Sequence, residues 1–422
     1  MPRRDRFRSR PGLFDRYAMR VLFLHYAFPG PFRHLAEHLA AMPDVSVTFA
    51  SEYGRRDLSL PGVRRVVLGT PKAGKRPEPP SPLKAAEYDL CMAYRRGVQT
   101  ARALLTLREK GFVPDMICTT AVMGNAFALR DVFPESFLVV YAEAYARRSP
   151  ESPATLRRAS ERIRNLLQLN GLADCDLAVT STEWQRSRFP EWLSRNMRVL
   201  HKCVDTDFFS PESGGKKAGE ELVTFSGRGL ETSLGLPRLF ESLSALFAVR
   251  PSCRAVILAS GVEQTRLPEL RKRLLAELGD DAGRVNLCGF SVPELYRLLL
   301  RASSLHVYLT TPSMLSLGLF ESMSCGCLVL ASDTEPVREV VREGKNGFLC
   351  GFHSPEDTAG RIAGLLARAP ALAPVREAAR KTVVELYSLG RTMRENWERL
   401  LGGYEHWRRL ADHTERTGTS NP

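Results

Sequence analysis

No stretch of this sequence approaches the roughly 18 to 20 uninterrupted apolar residues that a membrane-crossing helix needs, so no such helix is expected. The opening MPRRDRFRSRPGLFDRYA has no apolar core and does not read as a secretory signal; residues 1–18 are expected to be a disordered basic lead-in. The nine cysteines include no Cys-x-x-Cys pair, and the nearest two, Cys325 and Cys327, only flank an expected helix end. An odd number, with one close pair that has no partners at metal spacing, is a weak metal signal, and reduced thiols in a cytoplasm fit best. GxGxxG is missing, which leaves dinucleotide binding little support, and no nucleophile elbow supports Ser-His-Asp catalysis. The basic residues form no aromatic-interleaved stripe, so nucleic acid is not the expected partner.

What the chain has is the composition of an ordinary globular protein, 44% hydrophobic and 25% charged. Its 422 residues suffice for two to three domains. A formal net charge of +13 draws anions, either phosphate-bearing substrates or an anionic membrane surface.

In chain order, apolar runs predict strands over 20–25, 45–50, 63–68, 115–119, 137–141, 177–180 and, briefly, 197–200. Helices are predicted over 33–42, 84–110, from Met123-Gly124-Asn125 to about 132, and through the Arg-rich 154–172. The alternation restarts after Gly214-Gly215-Lys216-Lys217, with strands over 222–226, 255–258 and 285–287 and helices over 236–248, 268–278 and 293–301. Late helices are expected over 356–368, 375–387 and 392–410. Two successive runs of strand and helix imply an α/β fold with two parallel sheets and a cleft between them.

The second run centres on residues 305–347, LHVYLTTPSMLSLGLFESMSCGCLVLASDTEPVREVVREGKNG. A buried strand over 305–310 meets turn chemistry at Thr311-Pro312-Ser313. A helix follows with the apolar stripe Leu317, Leu319, Phe320 and Met323, closed by Gly326 before a strand over 328–331. The start of that helix, near Leu315, Ser316 and Leu317, offers backbone N–H groups and partial positive charge to a phosphate. About one turn on, Glu321 is a lone carboxylate on a mostly apolar helix, placed to accept hydrogen bonds from a sugar hydroxyl.

This stretch resembles the C-terminal domain of retaining glycosyltransferases with the GT-B fold, the family 4 or group 1 kind. Pro312-Ser313, Glu321-Ser322-Met323-Ser324-Cys325-Gly326, Pro336-Val337-Arg338-Glu339-Val340 and Asn346-Gly347 carry the match. Residues 19 to about 390 are similar to one bacterial branch, through Phe28-Pro29-Gly30-Pro31-Phe32-Arg33-His34-Leu35, Trp184-Gln185-Arg186-Ser187 and Ser332-Asp333-Thr334-Glu335-Pro336.

The resemblance implies a GT-B architecture of two Rossmann-like domains: an acceptor-side domain over 19–208, a linker over 209–221 and a nucleotide-sugar-binding domain over 222–388. A C-terminal helix over 389–412 would return to the first domain, ahead of a disordered tail over 413–422. It implies transfer of a sugar, with retention, from a nucleotide-diphosphate sugar to a glycan, a lipid-linked glycan or another hydroxyl acceptor, with no metal and no other cofactor. The donor would be held by Arg228, Gly289, Phe290, the helix start, Glu321 as ribose ligand, and Gly30 from the first domain.

Four positions depart from the family pattern. Its first Glu is Ser313, its second diphosphate cation is Leu234, and Lys202-Cys203 replaces Asn-Gly or Asp-Gly. The branch's His-Pro-Gly-Trp-Gly-Glu is Thr120-Ala121-Val122-Met123-Gly124-Asn125, so Thr120 and Asn125 stand at the catalytic or acceptor positions. Lys202, Arg238 or Glu143 would then supply what Leu234 and Thr120 do not; the competing reading is a non-catalytic binding or partner protein with a degraded donor site.

Weaker signals have plainer readings. Asp174-Cys175-Asp176 and Asp205-Thr206-Asp207 are spelled like a metal-binding DxD but read as turn and capping residues. His306 reads as a packed histidine, whereas His25, at a strand's carboxyl end, is the better candidate for an acceptor contact. The charge also suggests peripheral contact with the inner face of an anionic membrane. The expected outcome is sedimentation with anionic vesicles at low salt and release as salt rises; no binding at low salt contradicts it.

Overall fold

A computed structural model describes residues 19–53, 58–71, 81–143, 145–147, 155–212, 221–228, 236–260, 267–289, 292–351 and 354–417. They divide into two compact units. One comprises the described residues of Met1–Ser181, Gln185–Leu200 and Met393–Pro422, the other those of Thr182–Trp184 and His201–Thr392.

The first unit is built on β1 (Met19–Leu24), β2 (Val45–Ser51), β3 (Val63–Val67), β4 (Met116–Thr120), β5 (Phe137–Tyr141), β6 (Leu177–Thr180) and β7 (Arg198–Val199). All are parallel, in the order β3-β2-β1-β4-β5-β6-β7. Its helices are α1 (Arg33–Ala40), α2 (Pro82–Glu109), α3 (Leu129–Val132), α4 (Leu156–Ile163), α5 (Asn165–Ala173), α6 (Glu183–Arg188) from Gln185 onward and α7 (Glu191–Ser194). Strands buried on both faces need continuous apolar runs, and Val21 to Leu24 in β1 are all buried.

The second unit holds β8 (Leu222–Arg228), β9 (Arg254–Ser260), β10 (Val285–Cys288), β11 (Leu305–Tyr308), β12 (Val329–Ser332) and β13 (Phe348–Cys350), again parallel, in the order β10-β9-β8-β11-β12-β13. Its helices are α8 (Leu236–Val249), α9 (Leu267–Leu278), α10 (Pro293–Ala302), α11 (Leu317–Ser324), α12 (Glu335–Arg338), α13 (Pro355–Ala367), α14 (Ala373–Leu386) and the start of α15 (Leu389–Thr417). Strand alternation sends Leu305, Val307 and Leu330 into one core with Leu239 and Ile362, and Tyr308, Val329 and Ala331 into another with Leu319, Phe320 and Met323. Helix α11 is therefore apolar because it covers a sheet face. From Met393 onward α15 groups with the first unit, where Phe137 packs on Tyr404 and Trp407 at ring distances of 5.9 and 5.7 Å.

In each sheet the strand order reverses once, between β1 and β4 and between β8 and β11. Open parallel sheets bind ligands beyond the carboxyl ends of the strands at such a reversal.

The structure corrects four expectations. Met123-Gly124-Asn125 does not open a helix: Gly124 has φ +84° and packs on the Ala93 carbonyl, so the chain turns and only Leu129–Val132 is helical. The Arg-rich segment is two helices that meet at Arg164, and the first side chain of the second, Asn165, bonds the Ala146 N–H and carbonyl, each at 2.9 Å. Strand β13 is an addition, three residues long and so too short for periodicity to reveal. Helix α15 runs to Thr417, into the segment expected to be a disordered tail. Residues 1–18 lie outside the described residues, as do Leu234, Phe290 and most of the linker.

Candidate functional site

In the second unit the reversal point is formed by the ends of β8 and β11. Beyond β11 the chain is tied down at each step. The Thr310 amide donates to Ser332 Oγ at 3.0 Å, Thr310 Oγ1 and Ser313 Oγ lie 2.9 Å apart, and the Ser316 amide donates to the Tyr308 hydroxyl at 3.0 Å. Lys202 Nζ donates to the Leu315 carbonyl at 2.6 Å, while the Leu315 side chain is buried in the core. Ser316 has extended backbone, φ −82° and ψ 157°, and makes no side-chain cap, so α11 begins at Leu317 without a carboxylate or hydroxyl over its first turn. Helix geometry leaves the amides of Leu317 and Gly318 without an intrahelical acceptor. Because Tyr308 takes the Ser316 amide, the donors for an anion begin at Leu317 rather than at Leu315.

A buried hydroxyl chain supports this helix start. Ser303 Oγ, Thr224 Oγ1 and His306 Nδ1 follow one another at 2.6 and 2.8 Å, and Ser226 Oγ bonds Tyr296 OH at 2.9 Å, with His306 Nε2 3.4 Å away. His306 is thus a packed, bonded histidine. A Cβ on Gly318 would stand 3.2 Å from both Ser226 Oγ and Tyr296 OH, so a glycine here lets the helix settle on these hydroxyls.

One turn further along α11, Glu321 has no hydrogen bond or ion pair among the described residues. Burial pushes its carboxyl from the ordinary 4.5 up to about 7. Burial, and next the Glu321 charge, raise the Tyr296 phenol well above its usual value. Glu321 is partly buried rather than sealed off, so its carboxyl is both shielded enough to keep its proton and open to hydrogen-bond donors from a ligand.

Arg228 is the last residue of β8, paired in register with Ser260, and its side chain lies outside what the structure describes. Gly289 follows β10, and Phe290 lies outside the described residues. Of the two cations weighed as substitutes for Leu234, Arg238 is engaged with Glu241 on its own helix at 3.0 Å, and Lys202 reaches the loop before α11. The Glu339 carboxylate accepts from the amides of Glu183 and Trp184, and Glu335 accepts from the Trp184 indole at 2.8 Å.

In the first unit, Gly30 has φ +52°, and a Cβ there would drive into the His25 ring. His25 Nδ1 lies 2.8 Å from the Ala27 carbonyl and its ring tilts against Tyr26. Burial lowers its pKa to about 4, so the ring is neutral near pH 7 and serves as the seat of the glycine turn. Thr120 ends β4 and Glu143 follows β5, strands paired so that Thr120 faces Tyr141. Thr120 Oγ1 and Asn125 Oδ1 are buried without a partner among the described residues, and the Glu143 carbonyl accepts from Gln185 Nε2 at 2.6 Å.

The sequence reading missed the buried pair of Glu52, just past β2, and Arg96, on α2. Arg96 also donates to the Met123 carbonyl at 3.0 Å and lies over the Tyr26 ring. A carboxylate directly after a buried strand was the available signal for Glu52. Asp176 accepts from the Leu138 amide at 2.7 Å and pairs with Arg130, and Asp205 accepts from the Phe208 amide at 2.9 Å, which makes both Asp-x-Asp segments turn and capping devices. Among the described residues no group of three or more His, Cys, Asp or Glu is placed to hold a metal ion, and no helix is long and apolar enough to cross a membrane.

Comparison with known proteins bears on both units. A family described as "Glycosyl transferase family 4 group" matches residues 43–209, and one described as "Glycosyl transferases group 1" matches residues 207–382. The chain is similar to D-inositol 3-phosphate glycosyltransferases of Nocardiopsis dassonvillei, 27% identical over 231 residues, and of Mycolicibacterium vanbaalenii, 29% over 236. These alignments take in 52% of this chain in both cases and 52% and 49% of the relatives, so the chain spans about half the length of the curated relatives it matches. Among solved structures, sucrose-phosphate synthase from Thermosynechococcus elongatus aligns with a TM-score of 0.70 at 17% identity, covering 94% of this chain and all of that one. Anabaena HepE in complex with UDP-glucose aligns with a TM-score of 0.68 at 17% identity, covering 91% and 100%. At these identities the likeness is one of fold.

The Glu321 carboxyl gives a pH test with a definite sign. Below about pH 4.5 folded and unfolded chains both hold its proton; between 4.5 and about 7 the unfolded chain ionises alone, so the fold loses up to about 3 kcal/mol there and no more above. Glu321→Gln is therefore expected to be more stable than wild type in urea unfolding at pH 8, with the gap closing towards pH 4.5. A gap that does not change with pH contradicts the burial of this carboxyl.

Proposed function

Because the chain belongs to the group 1 glycosyltransferases of GT-B fold, we propose that it transfers a sugar from a nucleotide-diphosphate sugar to a hydroxyl acceptor. The observation that carries this reading is the reversal point of the second sheet, within the part of the chain that the group 1 family matches: a helix start with unoccupied donors, and one turn along it an unpartnered carboxylate. Those are the two chemistries a nucleoside diphosphate needs, amides and a dipole for the phosphates and an acceptor for ribose hydroxyls. As the glycosidic bond to the donor breaks, negative charge grows on the leaving diphosphate, and donors fixed beforehand stabilise it without reorganising. Ribose hydroxyls bonding Glu321 favour its charged form, so donor binding releases a proton near pH 7.

Retention at the anomeric carbon, operation without a metal and a glycan or lipid-linked acceptor complete the reading. The curated relatives are named D-inositol 3-phosphate glycosyltransferases, and that name supports a polyol hydroxyl as the attacking group. In the first unit Gly30 follows β1, Thr120 ends β4 with Asn125 beyond it, and Glu143 follows β5; Thr120 and Asn125 have buried oxygens lacking partners among the described residues, which supports an acceptor-side role for these strand ends. UDP, the nucleotide in the HepE complex, is the first to try.

Calorimetric titration with UDP, GDP and ADP tests the donor site. Micromolar binding of one of them is expected, weakened about 30- to 100-fold by Glu321→Ala and less than about threefold by Ser313→Ala, since only the former removes a charged hydrogen-bond acceptor. Equal effects sink the ribose assignment, and no binding of any diphosphate favours a non-catalytic partner protein. With an α-linked donor that binds, the product linkage read by NMR is expected to be α; a β product removes retention.

A further inference from the structure

The stretch Thr155 to Leu166, TLRRASERIRNL, turns its large apolar side chains outward. Leu156 is 65%, Ile163 39% and Leu166 58% exposed. A surface helix ordinarily does the opposite and packs its apolar residues against the core. The segment is nonetheless seated, since Ser160, Asn165, Leu167 and Gln168 are buried and Asn165 bonds the Ala146 backbone as donor and as acceptor. The exposed apolar groups are what remains after the unit has packed.

They fall on one line. Leu156, the exposed Ala159, Ile163 and Leu166 are spaced by three, four and three residues, which is one helix face, and Arg164 between α4 and α5 keeps helical backbone at φ −61° and ψ −19°. Arg158 and Arg162, four apart, form a flank of that face. Residues 155–166 hold four arginines against Glu161 alone. Because Asn165 bonds Ala146, five residues past the end of β5 at Tyr141, the stripe stands at the carboxyl edge of the first sheet, the edge that carries Gly30, Thr120 and Glu143.

The size of the stripe selects its occupant. From Leu156 to Leu166 it is about 15 Å long and roughly 10 Å wide, or about 150 Å², far short of the roughly 800 Å² that each partner buries in a stable protein pair. A lipid surface sets no such threshold. It takes a few apolar side chains in at headgroup depth and meets the cations beside them with phosphate. Arginine suits that place, because its aliphatic stem lies along apolar surface while the guanidinium pairs with phosphate oxygens. The formal net charge of +13 draws the chain to the same kind of surface.

We propose that the face formed by Leu156, Ala159, Ile163 and Leu166, flanked by Arg158 and Arg162, docks the first unit on an anionic phospholipid bilayer. The docking does not rest on the nucleotide-sugar reading. Combined with that reading, it brings the strand ends assigned to the acceptor to lipid-linked hydroxyls.

The test is sedimentation of the full chain with vesicles of phosphatidylcholine, with and without phosphatidylglycerol. Wild type is expected to bind the anionic vesicles at low salt and to leave the neutral ones alone. Leu156→Ser/Ile163→Ser/Leu166→Ser should bind about 30-fold more weakly, and Arg158→Gln/Arg162→Gln about 10- to 30-fold more weakly with a smaller response to salt. Tyr94→Ser, at a side chain 68% exposed on α2 of the same unit, should stay within about twofold of wild type, which separates this face from exposed apolar surface in general. All these positions are on the surface, so melting temperatures should not fall. A triple serine variant that binds vesicles as wild type does overturns the proposal. So does a wild type that stays in the supernatant, or one that self-associates through this face where the serine variant is monomeric. Diphosphate titration of the same variants should match wild type: vesicle docking without any diphosphate binding removes the nucleotide-sugar reading alone, and diphosphate binding without docking removes this proposal alone.

Discussion

Shielding a carboxylate from water without giving it a partner is costly, and in the second unit the surroundings of α11 impose part of that cost on the half-buried Glu321. The helix must be apolar because Leu319, Phe320 and Met323 cover the sheet, and it must start close to the strand ends because Gly318 rests on the hydroxyls of Ser226 and Tyr296. Glu321 on this scaffold faces surroundings that hold its proton on up to about pH 7. The energy held there is returned when hydroxyl donors arrive, which makes the site selective for a ligand that brings them together with an anion for the helix start.

The same geometric rule shapes both units. A parallel sheet whose strand order reverses opens its carboxyl edge at one place, and the loops there are the ones that reach a ligand. In the first unit these loops carry Gly30, seated on a neutral His25, and the Thr120 to Asn125 turn, braced by the Glu52–Arg96 pair. In the second they carry Arg228, the loop tied by Tyr308 and Lys202, and α11. Arg96 and Lys202 each hold a loop through a backbone carbonyl, of Met123 and Leu315, before any ligand binds.

Features that depend on local pattern were readable from the chain alone. The strands of both sheets except β13, the long α2, the apolar stripe of α11 and the isolation of Glu321 all follow from periodicity and from one polar residue where apolar ones recur. What escaped depends on contacts between distant residues or on backbone sign. The Glu52–Arg96 pair joins positions 44 apart and the Lys202–Leu315 bond positions 113 apart, so no local pattern announces which residue each one meets. The turn at Gly124 depends on a left-handed glycine packed on Ala93, which a periodic pattern does not express, and the bonds of the buried Asn165 to Ala146 join positions 19 apart.

A structure of the protein with its preferred nucleoside diphosphate tests the central claim most directly. The account predicts phosphate oxygens within hydrogen-bond distance, roughly 2.7–3.2 Å, of the Leu317 and Gly318 amides, and both ribose hydroxyls on the Glu321 carboxylate. A nucleotide bound with its ribose away from Glu321, or with its phosphates away from the start of α11, would contradict it.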